Sequence, residues 1–179
     1  MTGHLHLPAG TGNAISGFSR GRWWTLPFSA ETWRRTFYIL VAVLASAVCM
    51  PLVLLGGYRA AARLQRRLAR RFLAPRADEP APRDRAGRVL AHTVLSLPVN
   101  LASVALTAYL WAGVAVNIAF PLRPGALDSY QHSWGGPSLA GAWAVHAAGG
   151  LVFLFITPWI VMAITWLQGR LVERLLGVD

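Results

Sequence analysis

Three uncharged apolar stretches, Thr36 to Gly57, Val94 to Phe120 and Ser138 to Leu167, alternate with polar segments that carry arginines. Even the shortest, 22 residues, reaches ~33 Å as a helix at ~1.5 Å per residue, enough to cross a bilayer core. The pattern predicts transmembrane helices over about 36–57, 94–120 and 141–167. No break signal separates the first stretch from Arg59-Ala-Ala-Ala-Arg63-Leu-Gln-Arg66-Arg67-Leu-Ala-Arg70-Arg71-Phe-Leu73. Leu64, Leu68 and Phe72 recur there every fourth residue beside the arginines, so a basic amphipathic helix is expected to run straight out of the membrane. Pro75, Pro80 and Pro82 end it, and residues 74–88 read as a flexible linker. Residues 1–30 read as a flexible tail. Its last part, with Trp23, Trp24 and Phe28 near Arg20 and Arg22, suits the headgroup level, as do Trp33, Arg34 and Arg35 just after it. Residues 31–177 form the membrane domain, an all-α bundle of about three, at most four, transmembrane helices with basic cytoplasmic extensions.

Charge orients this bundle. Ten arginines fall between Arg59 and Arg88, whereas the 121–137 loop holds only Arg123. The positive-inside rule places the first segment and the C-terminus in the cytoplasm and the loop outside. Three spans then put the N-terminus outside, together with Arg20, Arg22, Arg34 and Arg35; a re-entrant first segment broken near Pro51 would keep them inside. Both topologies stay open at this level. No signal peptide is expected, because no small-residue cleavage site follows the first apolar stretch.

An apolar share of 55% and a mean hydropathy of +0.44 fit a multi-pass protein of the cell membrane. Every one of the 17 basic residues is arginine, and the net charge is +10. These arginines cluster beside apolar runs and not among exposed stacking aromatics, which argues against nucleic acid as a partner. Arg63, Arg66, Arg67, Arg70 and Arg71 are the candidates for anionic headgroups of the inner leaflet. Cys49, the single cysteine, reads as a small hydrophobe.

One repeat is visible. Leu64-Gln65-x-Arg67-Leu68-x-x-Arg71-x-Leu73 recurs as Leu167-Gln168-x-Arg170-Leu171-x-x-Arg174-x-Leu176, so two spans are expected to end in the same kind of basic tail.

Candidate chemistry is sparse. His146 is the ionisable side chain well inside a span, and such groups are functional candidates by default. It shares a helix face with Ala142 and Gly150, while Ala144 and Ala148 belong to a second row of small residues, so helix packing competes with sensing as its role. Trp143, Trp134, His132 and Asp128 complete the set of candidate sensing residues near the outer face. Pro51, Pro98 and Pro158, one in each stretch, are hinge candidates. Neither a metal site nor a cofactor is expected: His92 lies at the cytoplasmic edge of its span and cannot meet His146, and His132 with Asp128 is unspecific. No enzyme template is complete. No Asp or Glu lies in a span, no His-Glu-x-x-His pattern occurs, and Gly56-Gly57, Gly135-Gly136 and Gly149-Gly150 are isolated doublets of the turn or close-packing kind.

Pro27-Phe-Ser-Ala-x-Thr32-Trp33-Arg34, Trp134-Gly-Gly-Pro-Ser-Leu-Ala-Gly-Ala-Trp143-Ala-Val-His146, Thr157-Pro158-Trp159 and the two Leu-x-x-Arg tails give the chain a family likeness. It resembles, over roughly residues 27–177, the sensor domain at the N-terminus of many actinobacterial two-component histidine kinases. That resemblance implies a membrane sensor or signal-relay module whose partner is a histidine kinase or another copy of itself. Family members often have a longer first apolar segment and continue into a kinase domain; no kinase activity is carried over to the residues here. The competing expectation is a small accessory or scaffold subunit of a membrane complex such as a transporter.

Overall fold

The computed structural model describes residues 23–73 and 86–176. The expected flexibility of residues 1–22 and 74–85 lies outside the described residues. Helices α1 (Ala30–Leu54), α2 (Tyr58–Leu73), α3 (Ala86–Ile118), the short α4 (Ala126–Ser129) and α5 (Leu139–Leu176) form an all-α bundle, and no strand occurs among the described residues. α1, α3 and α5 are each long and apolar enough to cross a membrane. The helices overrun the predicted spans: α1 starts six residues earlier and stops at Leu54, α3 takes in 86–93, and α5 continues unbroken through the basic tail. The 121–137 loop is a chain of short helical turns.

Local chemistry sets the ends. Trp23–Phe28 is a 3₁₀ helix, not loose tail. Ser29 caps α1 by accepting from the Thr32 N–H at 3.2 Å, and the Ser29 and Thr32 hydroxyls donate back to the Leu26 carbonyl at 2.9 and 2.8 Å. Such a cap satisfies amide groups that the first turn leaves unpaired. Glu31 in that turn favours the helix dipole and pairs with Arg34 and Arg35.

At the other end of α1 the chain reverses, contrary to the expected continuous helix. Gly56 has φ +85°, Gly56 N–H donates to Val53 O at 3.0 Å and Gly57 N–H to Leu52 O at 2.7 Å. That pair of bonds, with a left-handed glycine after the last helical residue, is a Schellman stop. α2 therefore folds back along α1. Cys49 Sγ lies 3.8 Å from Ala61 O, and Phe72 meets Phe37 and Tyr38 at ring separations of 5.8 and 6.0 Å. α2 buries Ala61, Ala62, Gln65 and Ala69 while Leu64 and Leu68 are only half-buried, because alanines let the two backbones approach. Its exposed face carries Arg59, Arg63, Arg67, Arg70 and Arg71.

α3 and α5 make the largest helix contact and run antiparallel. A Cβ at Gly150 would stand 2.8 Å from Ile118 Cγ1, and one at Gly113 3.3 Å from the Phe153 ring; further along, Gln168 bonds Asn100. From Gly150 to Gln168 is ~27 Å of helix, close to the ~30 Å of a hydrocarbon core.

The interior of the bundle mixes apolar side chains with a row of polar ones. On α3, His92, Ser96, Asn100, Ser103 and Thr107 are buried at helical spacing, and on α5 so are Thr157, Thr165 and Gln168. Large apolar side chains such as Phe37, Leu44, Leu101, Leu106, Leu151 and Val152 point outward. An exterior of this kind suits lipid, where association rests on packing and interhelical hydrogen bonds.

The three apolar helices are staggered. α1 meets α5 where Arg35 donates to Thr165 Oγ1 at 2.9 Å, and Cys49 shares an apolar cluster with Val172 and Leu176. Its apolar run thus lies beside the last turns of α5, shifted toward the Arg-rich end, although its first turn reaches α3 through the stack of Trp33 on Trp111 at 4.7 Å. The α1–α2 turn points to the end where α3 begins and α5 finishes. α1 and α2 thus form a hairpin, and its break comes after Leu54, not at Pro51. Pro98 and Pro158 lie inside unbroken helices.

Candidate functional site

The end of the bundle opposite the arginine-rich tails is built around Phe120, which is buried where α3 gives way to the loop. His146 stacks on its ring at 4.0 Å, and the Arg123 guanidinium lies 4.4 Å from the ring centroid, a favourable cation–π distance. His146 Nδ1 is 2.8 Å from the Ala142 carbonyl. A carbonyl only accepts, so Nδ1 carries the proton. Trp143 ties α5 to α3 by donating from its indole N–H to Ile118 O at 2.9 Å.

Of the predicted outer residues, Ala142 and Gly150 are buried on the α3-facing side of α5, whereas Ala144 and Ala148 are exposed. His132, Asp128 and Trp134 are exposed, Trp134 at 84%, and they are not gathered around His146. Among the described residues no group of His, Cys, Asp and Glu suits a metal ion.

The Trp134 to Trp143 segment is a compact cap whose residues are explained by backbone proximity. Gly135 has φ +90°, and a Cβ on it would run into the Gly141 carbonyl. Ser138 Oγ accepts from Gly141 N–H at 3.1 Å. The loop is thereby pressed onto the first turn of α5.

A second constellation, not singled out from the sequence, lies at the Arg-rich end. Asn100 on α3 donates to Ser46 Oγ on α1 at 2.7 Å and to the Ala42 carbonyl at 3.2 Å. Gln168 on α5 donates to Asn100 Oδ1 at 2.7 Å, and Gln65 on α2 reaches Ser46 Oγ at 3.5 Å. Ser96 Oγ lies 3.4 Å from Ser46 Oγ. All four long helices meet in this one joint. The two glutamines are the equivalent positions of the repeated Leu-Gln motif, and both are buried at 4% exposure. Adjacent to them, Arg66 donates to the Leu176 carbonyl at 3.3 Å, linking the two tails. The signal in the sequence was the polar stripe 92, 96, 100, 103, 107, whose members are uncharged and so escape a search for charge.

No protein-family model matches the chain, and neither does any curated protein or solved structure.

Proposed function

We propose that this chain is a membrane-embedded signal-relay module with its input at the outer end and its output in the Arg-rich tails. The observation that carries this reading is the Ser46–Gln65–Asn100–Gln168 joint, in which each long helix holds its neighbours by directional bonds. Amide and hydroxyl groups buried together have few satisfied arrangements, so helices joined this way move between discrete packings and do not drift. The outer constellation of His146, Phe120, Arg123 and Trp143 sits on the same two helices, α3 and α5. A stimulus that favours one packing there shifts the population of both ends. The resemblance to kinase sensor domains supports a histidine kinase, or a second copy, as the receiver.

The test needs no known stimulus. Spin labels at Arg70→Cys and Arg174→Cys, in a Cys49→Ala chain in lipid nanodiscs, read the separation of the two tails. Gly150→Leu, far up α5, is expected to change that distance distribution, and Asn100→Leu to uncouple the change. Tails that ignore Gly150→Leu in a folded protein would defeat the relay reading.

The alternative, an accessory or scaffold subunit, is favoured by the outward row Ala140, Ala144 and Ala148, which suits another protein's helix. Photo-crosslinking from Ala144 to a transporter subunit in cells would support it.

A further inference from the structure

Beside the joint, Tyr38, Gln65, His92, Ser96, Asn100 and Gln168 line a partly open cavity of about 10 Å³. Two of its lining residues carry a buried atom without a hydrogen-bond partner, His92 Nδ1 and Gln168 Oε1, on residues only 2% and 4% exposed. A buried polar atom without a partner costs about 1–3 kcal/mol, and native proteins seldom leave two in one place.

We propose that this cavity binds one water molecule, which bridges His92 Nδ1 to Gln168 Oε1 and so completes the hydrogen bonding between α3 and α5. The size fits: a water requires about 10–15 Å³ of such space and two to four polar partners. The chemistry fits as well. None of the lining residues is a carboxylate that would hold a cation, and none is an arginine that would hold an anion. A neutral molecule that both donates and accepts serves the glutamine oxygen and either tautomer of the imidazole, with the Ser96 and Tyr38 hydroxyls as further neighbours. The inference rests on the cavity and its two atoms, independently of the relay reading.

Hydroxyl-radical footprinting of the full chain in nanodiscs tests it, because radicals generated from a bound water label side chains that bulk solvent cannot reach. Labelling rates are taken relative to the unfolded chain. Tyr38, 3% exposed at the cavity, should be labelled several-fold faster than Leu110, which is 5% exposed and lies away from it. His92→Phe should bring Tyr38 down to the level of Leu110. The proposal is overturned if Tyr38 is as protected as Leu110 in the unmodified protein, or if a folded His92→Phe chain keeps the fast labelling. Should the variant not fold, the comparison within the unmodified protein decides.

Discussion

Gln168 donates to the side-chain oxygen of Asn100 across 2.7 Å, and through it the longest helix is tied to the three others. Asn100 passes the connection on to Ser46 and the Ala42 carbonyl. Removing Asn100 therefore unlocks more than one pair.

Asn100→Leu and Gln168→Leu should each destabilise the protein by about 1–3 kcal/mol, since each strands a buried donor or acceptor. Their effects should not add. The coupling energy from a double-mutant cycle, followed by unfolding in mixed micelles, is expected at about 0.6–1.7 kcal/mol, the range of measured hydrogen bonds between membrane helices. Strict additivity would show that the bond contributes nothing.

Gly150→Leu should lower the melting temperature in detergent or change the oligomeric state. Even a Cβ at this position would stand 3.1 Å from the Ile118 backbone nitrogen, and packed helices have little spare volume. Gly149 has no atom within 4 Å of its would-be Cβ, so Gly149→Ala should be neutral or stabilise by up to ~1 kcal/mol through helix propensity. The exposed Leu151 is a further control, and Leu151→Ala should do little.

Such a contrast between neighbours was legible in the sequence, because Ala142, His146 and Gly150 repeat every four residues and small side chains mark a close approach. The fold-back of α2 was not. The Gly56-Gly57 doublet reads as either a turn or close packing and no break is expected there, because the reversal depends on α2 having an alanine face for α1. In a segment rich in arginine and leucine, the eye follows the leucines. The joint escaped for a related reason: Ser96, Asn100 and Gln168 are uncharged and read as tolerable interruptions of apolar runs. Two of the segments that carry the family likeness, around Ser29 to Thr32 and Trp134 to Trp143, prove to hold helix ends in place. In the second, Gly135, Ser138, Gly141 and Trp143 have contacts that serve folding, whereas Trp134 is exposed.

Gly56→Ala should loosen the α1–α2 hairpin, since a left-handed conformation costs a residue with a Cβ about 1–2 kcal/mol. Brief trypsin digestion reads this directly, because α2 carries the cleavage sites Arg59, Arg63, Arg66, Arg67, Arg70 and Arg71. Faster cutting within α2 is expected, with α3 and α5 left intact.

The stagger of α1 is testable by depth. In a Cys49→Ala chain, spin labels on the outward-facing Leu44→Cys and Leu106→Cys should sit ~9 Å apart along the bundle axis, because Asn100 bonds α1 on either side of Leu44 and Leu106 lies six residues further along α3 at ~1.5 Å per residue. Oxygen should relax the Leu106 label more strongly, and a water-soluble nickel complex the Leu44 label. Equal depths would place α1 in step with its neighbours.

If the arginines of α2 meet anionic headgroups, as expected from the sequence, replacing Arg63, Arg67, Arg70 and Arg71 with glutamine should weaken binding of an α2 peptide to anionic vesicles by ~1 kcal/mol per residue. Added salt should narrow the difference. Equal binding to neutral vesicles would contradict the assignment.

The inward-facing hydroxyls and amides of α3 also bear on how the chain is made. α3 leaves the ribosome before α5, so Asn100, Ser103 and Thr107 enter the translocation channel before the face bearing Thr157, Thr165 and Gln168 exists. Released alone, that stripe would turn toward lipid with its polar atoms unanswered. α1 has already been made and offers Ser46 and the Ala42 carbonyl, but these serve only the lower part of the stripe. Lateral release of α3 is thus expected to wait for α5, so that these two helices enter the membrane together.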